Sequence, residues 1–393
     1  MTSNDGRAGR NPKRRPPTLD RAPAAAPAVR VWDPGVRLFH WLLVAAVAVA
    51  AFTGFVSGAP ALEVHIVAGT AIAGLVFARV VWGRFGATHA RFADFAYGPR
   101  AVLAHLRDLV AGAGHRHLGH NPLGAMMVFA LLLVLAAIVV TGTVTLGGAF
   151  KQGPLGAFVG FAAGWQVRGI HKLFSVLLLV MIAAHLLGVA FESRRGRENL
   201  VRAMVTGRKA ANPGGGEAPA VAARPWPALA ILIVGGGGAA AAIAALAALP
   251  APGLPPARLD PAYVEECGSC HFAFPPSLAP AATWTAVMDG LAHHFGENAG
   301  LDPDVAARLR AYLLANSAEH ADTLAANRLR VVDPAEPLRI TATPFWRRVH
   351  GDIPDGVFAD RRVGGRVSCA ACHDDAATGR FAPQSIEIPE ALQ

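Results

Sequence analysis

From residue 169 the chain reads Gly169-Ile170-His171-Lys172-Leu173-Phe174-Ser175-Val176-Leu177-Leu178-Leu179-Val180-Met181-Ile182-Ala183-Ala184-His185-Leu186-Leu187-Gly188. A helix of about 20 mainly apolar residues crosses a bilayer core, so this run predicts a membrane span. It also carries two histidines, and ionisable residues inside a membrane are rare and usually functional. His171 and His185 are fourteen residues apart. At about 100° and 1.5 Å per residue they fall within about 40° of one face and about 21 Å apart along the axis. One helix thus offers an imidazole near each side of the bilayer.

Four more segments have span length, giving Leu38–Val56, Val64–Trp82, Leu123–Leu146, Ile170–Phe191 and Ala228–Leu249 in order. The first and second hold one histidine each, His40 at the start of span one and His65 at the start of span two. Matching by depth pairs His40 with His185 and His65 with His171. Two trans-helix histidine pairs are what two bis-His b haems need inside a four-helix bundle. Polar packing between helices accounts for one or two such residues, not for four matched in depth. The fifth segment contains Gly235-Gly236-Gly237-Gly238 and much Ala, which suits close helix packing in lipid; its alternative is a loose linker.

Composition supports a membrane protein: 53% of the 393 residues are hydrophobic and 16% charged, where a soluble domain carries about a quarter. The net charge of +9 is unevenly spread, with −6 on Pro250–Gln393 and +15 on the rest. That division excludes a nucleic-acid reading and matches a basic membrane half joined to an acidic soluble half. Lys and Arg number eight up to Arg37, five in Gly83–His120 and seven in Glu192–Trp226, whereas Ser57–Glu63 has none and Gly147–Gly169 two. Rich and poor connections alternate, so the positive-inside rule predicts a cytoplasmic N-terminus. Five crossings then place the C-terminus outside. Residues 1–30, rich in Arg, Pro and Ala, read as a disordered arm without the apolar run of a signal peptide.

All four cysteines belong to two copies of one pattern, Cys267-Gly-Ser-Cys270-His271 and Cys369-Ala-Ala-Cys372-His373. The spacing C-x-x-C-H is that of c-type haem attachment, with two thioethers to one porphyrin and the adjacent His as proximal iron ligand. A redox C-x-x-C does not need the His, and a four-cysteine zinc site would not place a His after each pair. Haem c is attached outside the cytoplasm, the side that the five crossings give this half.

The C-terminal half predicts three helices: Thr283–Phe295, one opened by Asp302-Pro303-Asp304 and running to about Ala315, and one from Thr343-Pro344 to near His350. On the first, His294 shares a face with Val287 and Leu291, while His293 points away with Asp289. His294 and His350 are therefore the expected distal ligands, without an assignment to one haem or the other. Met288 is the rival, though its apolar company reads as packing, and His320 reads as surface. The histidines of the loop after span two (His89, His105, His115, His117, His120) sit among Gly and Arg and read as solvated. His115, His117 and His120 could hold a metal, but no carboxylate or Cys accompanies them.

Two resemblances follow from these residues. Val31-Trp32-Asp33, Arg37-Leu38-Phe39-His40-Trp41, His65-Ile66-Val67-Ala68-Gly69, Trp82-Gly83-Arg84-Phe85-Gly86, Ala90-Arg91-Phe92, Asn121-Pro122-Leu123-Gly124, the His171/His185 pair and Glu198-Asn199-Leu200-Val201-Arg202-Ala203-Met204 resemble the bacterial cytochrome b561 and nickel-iron hydrogenase b-subunit family. That resemblance implies two b haems on the four histidines and exchange of electrons with a quinone. Phe274-Pro275-Pro276, Trp284, His294-Phe295-Gly296, Arg339-Ile340-Thr341, His350 and Gly379-Arg380-Phe381, with the two attachment motifs, resemble dihaem cytochrome c proteins. This second resemblance implies bis-His haems passing electrons to a small periplasmic haem protein.

The reading is an all-α protein. A cytoplasmic arm (1–30) leads into a four-helix b-type membrane domain (31–209), a linker (210–227), a fifth span (228–249) and a periplasmic dihaem c domain (254–393). Its expected role is transmembrane electron transfer from quinol through two b haems and two c haems to a soluble acceptor, in a bacterial inner membrane. Rival roles are the membrane anchor of a hydrogenase or other dehydrogenase, and a haem enzyme acting on peroxide or a nitrogen oxide.

Overall fold

The computed structural model describes residues 28–58, 61–113, 117–211 and 221–389. The expected disordered arm lies outside them except for its last three residues. Those form strand β1 (Ala28–Arg30), paired antiparallel with β2 (Arg208–Ala210). The chain entering the first span is thereby tied to the chain leaving the fourth.

Five helices have the length and apolarity to cross a membrane. Helix α1 is Pro34–Phe52, extended by a π-helical turn Thr53–Ser57, and α2 is Leu62–Phe85. After the amphipathic α3 (Pro99–Val110) come α4 (Pro122–Phe150) and α5 (Phe161–Arg195). The short α6 (Leu200–Thr206) precedes α7 (Pro225–Ala247). Each expected span is present, and the fifth is a continuous helix through its four glycines. Two starts are written locally: Asp33 before Pro34 accepts from Val36 N at 2.8 Å, and Asn121 before Pro122 accepts from Gly124 N at 2.7 Å. The fourth helix begins nine residues before the expected Ile170, at Phe161. Large apolar side chains face outward along these helices, among them Leu133 at 71%, Leu187 at 72% and Val234 at 74% exposure. Such exposure suits lipid as the solvent, and the chain is a multi-pass membrane protein.

Helices α1, α2, α4 and α5 form the bundle, with Ile72, Val134, Leu135 and Leu178 at its centre. Near one end α4 and α5 touch backbone to backbone. A Cβ on Gly148 would lie 2.6 Å from the Gly164 Cα, so only glycine permits this approach. Helix α7 lies against the outside of α2, where Phe77 covers Gly235.

The C-terminal half is helical: α8 (Pro261–Cys267), α9 (Ala281–Asp289), α10 (Pro303–Ala315), α11 (Leu324–Leu329), α12 (Pro344–His350) and α13 (Asp355–Ala359), joined by turns. Asp302 and Thr343 cap α10 and α12 as their sequences predict, accepting from Asp304 N and Trp346 N. The helix expected at Thr283–Phe295 stops at Asp289, because Gly290 breaks it. Two small cores result. Tyr263, Trp284, Met288, Leu309 and Leu313 pack beside the first Cys-x-x-Cys-His motif, and Leu278, Ala325, Leu329 and Trp346 pack near the second.

Candidate haem sites

Antiparallel helices bring His65 and His171 together as depth predicts. The His65 and His171 rings have centroids 6.2 Å apart, near the α4–α5 glycine contact. His40 of α1 and His185 of α5 lie at the opposite end of the bundle, near Asp33, with His185 within electrostatic reach of His40.

The His65–His171 end is built with an internal repeat. His65 Nδ1 lies 3.0 Å from the Ala50 carbonyl and 3.1 Å from Thr53 Oγ1. His171 Nδ1 lies 3.1 Å from the Ile138 carbonyl and 3.2 Å from Thr141 Oγ1. Both threonine hydroxyls donate to carbonyls one turn back, Val49 and Ala137, so their lone pairs face the imidazole N–H. Such anchoring of Nδ1–H leaves Nε2 as the ligating atom and raises its basicity. A glycine follows each threonine, and a Cβ on Gly54 or Gly142 would sit 3.1 Å from Cε1 of the neighbouring histidine. The two Thr-Gly dipeptides, Thr53-Gly54 and Thr141-Gly142, are the signal sequence reasoning missed. The π-helical turn at Thr53 belongs to the same cradle, as π-turns often do at functional sites. By contrast, His40 Nδ1 is buried without a hydrogen-bond partner.

In the C-terminal half, His271 and His294 have ring centroids 6.2 Å apart, and so do His350 and His373. The structure therefore associates His294 with the first motif and His350 with the second, which spacing left open. His294 does not lie on the helix face of Val287, because α9 ends at Asp289. The residue follows a 3-10 turn and enters a tight reversal, with a bridge to Glu297 and positive φ at Phe295 and Gly296. His293 and His320 are exposed, as expected, and Met288 is buried in the core. His271 Nδ1 meets the Phe272 carbonyl at 2.8 Å, and His350 Nδ1 meets that of Trp346 at 3.1 Å. Burial lowers the pKa of His294, His350 and His373, and a close second imidazole lowers His294 and His373 further. These shifts favour the neutral imidazole, the form a metal ligand requires. Burial pushes the Cys369 thiol up to about 11. The second motif is pinned by the chain end, where Glu387 N donates to Cys372 O and Asp374 N to Ser385 O.

Two imidazoles bound to one metal ion at about 2.0–2.1 Å, with ring centres about 1.1 Å behind the bound nitrogens, have centroids about 6.2–6.4 Å apart. Three pairs here stand at 6.2 Å, and both C-terminal pairs lie next to paired free thiols. The residues present fit bis-His haem.

The loop histidines depart from expectation. His105 is buried and His120 half-buried, not solvated. His120 lies between the Trp32 ring at 4.7 Å and the Phe95 ring at 4.4 Å, and burial pushes its pKa down to about 3, with Arg79, His89, Lys209 and His185 adding to the effect. The ring of His117 is 5.6 Å from that of His105, while His115 falls outside the described residues. Among the described residues no cluster of three or more His, Cys, Asp or Glu could hold a metal ion.

Fold and sites together define a haem-carrying membrane protein of electron transfer. Residues 31–207 match the prokaryotic cytochrome b561 family and residues 263–381 the dihaem cytochrome c family; the chain is a cytochrome b561 joined to a dihaem cytochrome c. It is 25% identical over 215 residues to a probable Ni/Fe-hydrogenase B-type cytochrome subunit from Cupriavidus necator, a match covering 46% of this chain and 86% of that one. A subunit of the same description from Azotobacter chroococcum is 26% identical over 215 residues, covering 46% and 88%. A dihaem cytochrome c structure from Shewanella baltica is 37% identical, with a TM-score of 0.27, and covers 33% of this chain and 93% of that one.

Proposed function

We propose that the protein conducts electrons across a bacterial inner membrane, from quinol in the bilayer to a small soluble haem protein in the periplasm. Two b-type and two c-type haems, when bound, supply one-electron redox chemistry. In this reading His40 with His185, and His65 with His171, hold the b haems. Cys267, Cys270, His271 and His294 hold one c haem, and Cys369, Cys372, His373 and His350 the other. The observation that carries the reading is the common 6.2 Å separation of three imidazole pairs. Two imidazoles on each iron leave no open position, so the residues favour electron carriage over substrate activation at iron. The alternating Lys and Arg content of the connections supports a cytoplasmic N-terminus and a periplasmic C-terminal domain.

Pyridine haemochrome analysis tests this directly. Equal amounts of protohaem and covalently bound haem are expected, and reduction by a quinol analogue should appear in both b and c absorption bands. A protein that binds no protohaem, or whose c bands stay oxidised while its b bands reduce, defeats the proposal. A second reading follows from the names of the relatives, in which the b-type half anchors a hydrogenase or another dehydrogenase. Co-purification of such a catalytic subunit with the membrane half would favour it.

A further inference from the structure

Arg79 carries a charge yet is 3% exposed, and its Nη1 has no hydrogen-bond partner. It stands on α2 fourteen residues after His65. Helix geometry puts it within about 40° of the same face and about 21 Å toward the Asp33 end, the level of His40 and His185. Its guanidinium lies 4.6 Å from the Phe92 ring and 6.0 Å from that of Phe39, the neighbour of His40 in sequence.

The nearby carboxylate does not pair with it. Asp33 accepts from Val36 N, from Trp82 Nε1 at 3.0–3.1 Å and from Ala87 N at 3.3 Å. It caps α1 and ties α1 to the end of α2. His120 is close enough to act electrostatically on both Arg79 and His185, and its buried Nδ1 also lacks a partner. A buried cation is costly unless paired and hydrogen-bonded. Here one stands beside a proposed ligand pair, and among the described residues no free carboxylate pairs with it.

We infer that Arg79, with His120 next to it, receives a propionate carboxylate of the haem held by His40 and His185. The inference rests on that ligand reading. It gives Arg79 the role of a binding residue that fixes the rotational setting of this haem and holds its propionate ionised.

The test uses the full-length protein in detergent, with redox titration resolving the two b haems and resonance Raman reading the propionate bending modes. In Arg79→Gln one b haem should titrate at a lower potential, because a positive charge near the iron is lost. Its potential should become pH-dependent near neutrality, its propionate mode should shift, and the other b haem should not move. Arg79→Lys should restore part of each effect. Loss of one b haem in Arg79→Gln with retention in Arg79→Lys also supports the role. Unchanged potentials and Raman modes in Arg79→Gln overturn the inference, as does an equal shift in both b haems. Absence of protohaem from the wild-type protein would instead strike the ligand reading itself.

Discussion

Lys151, at the end of α4, donates a hydrogen bond from Nζ to the carboxylate of Asp322 in the c-type half. The lysine side chain is 2% exposed and the aspartate 38%. Lys151 Nζ also donates to Val159 O at 3.1 Å, and Asp322 accepts from Phe161 N at 2.9 Å. Residue 160, which precedes α5, is glycine and has no side chain to cap the helix, so a carboxylate from the other half of the protein takes that place. Arg328 adds a contact 4.2 Å from the Trp165 ring. Beside this clamp is a small cleft, with Ala149 and Phe150 on the membrane side and Arg380 and Phe381 on the other. The Phe381 ring is 5.1 Å from that of His373, so the second attachment motif is the one turned toward the bundle.

Asp322→Ala should therefore loosen one half from the other. Removing one partner of a fully buried pair costs about 3–5 kcal/mol; partial exposure of Asp322 lowers the expected cost to about 1–3 kcal/mol. A protease site inserted between the exposed Pro256 and Ala257 provides the assay. After cleavage the wild-type c-type half should remain with the membrane fraction, whereas in Asp322→Ala much of it should be released with its haem spectrum intact. Equal retention in both proteins would show that the clamp does not hold the halves together.

Thr53 and Thr141 each offer a lone pair to the Nδ1–H of a neighbouring histidine. Thr141→Val removes one of two acceptors at His171 and makes that imidazole a weaker donor to iron. The midpoint potential of one b haem should rise, with Thr141→Ser restoring it. At Gly142 the effect is steric. Alanine asks the His171 ring to shift by a few tenths of an ångström, whereas Gly142→Leu should empty that site and halve the protohaem content. A Gly142→Leu protein with full protohaem would show that the 3.1 Å approach is not a constraint.

The two C-terminal imidazole pairs should titrate as separate units. His294→Ala should leave both haems covalently attached but turn one of them high-spin, and His350→Ala should do the same to the other. Electron paramagnetic resonance of the oxidised single variants and of the double variant checks this. Should either single variant convert both haems, the pairing of His271 with His294 and of His350 with His373 would be wrong.

Much of this was legible where the signal is local. Asp33-Pro34, Asn121-Pro122, Asp302-Pro303 and Thr343-Pro344 mark helix starts, because a capping side chain and a first-turn proline act within four residues. Depth matching placed His65 by His171, since a straight antiparallel bundle converts sequence distance into height. What failed depended on contacts from elsewhere. His120 reads as a loop residue until Trp32 and Phe95, from distant parts of the chain, enclose it. Helical periodicity puts His294 on an apolar face, although Gly290 ends that helix before it. The nine extra residues at the start of α5 are mostly polar or small, and the cap that supports them is Asp322, 161 positions away from Phe161. No local pattern announces such a pair.

Docking of a soluble acceptor should depend on salt. The segment from Pro250 onward carries 18 acidic residues against 12 arginines. Several acids lie around the first attachment motif and its distal histidine: Asp260, Glu265, Glu266, Asp289 and Glu297. This is also the more open of the two motifs, with Cys270 and His271 exposed and Phe295 at 59% exposure. A basic partner would be steered to that edge, and steering between exposed charges weakens once the Debye length falls to about 10 Å at 0.1 M salt. The second-order rate of electron delivery to a basic c-type haem protein should drop by about tenfold or more between 10 mM and 200 mM salt. Glu265→Gln with Glu266→Gln should lower the low-salt rate and flatten the salt dependence, while Asp352→Asn, on the opposite motif's side, should do neither. A rate insensitive to salt in the wild-type protein would mean that the acidic charge of this half serves solubility, not recognition.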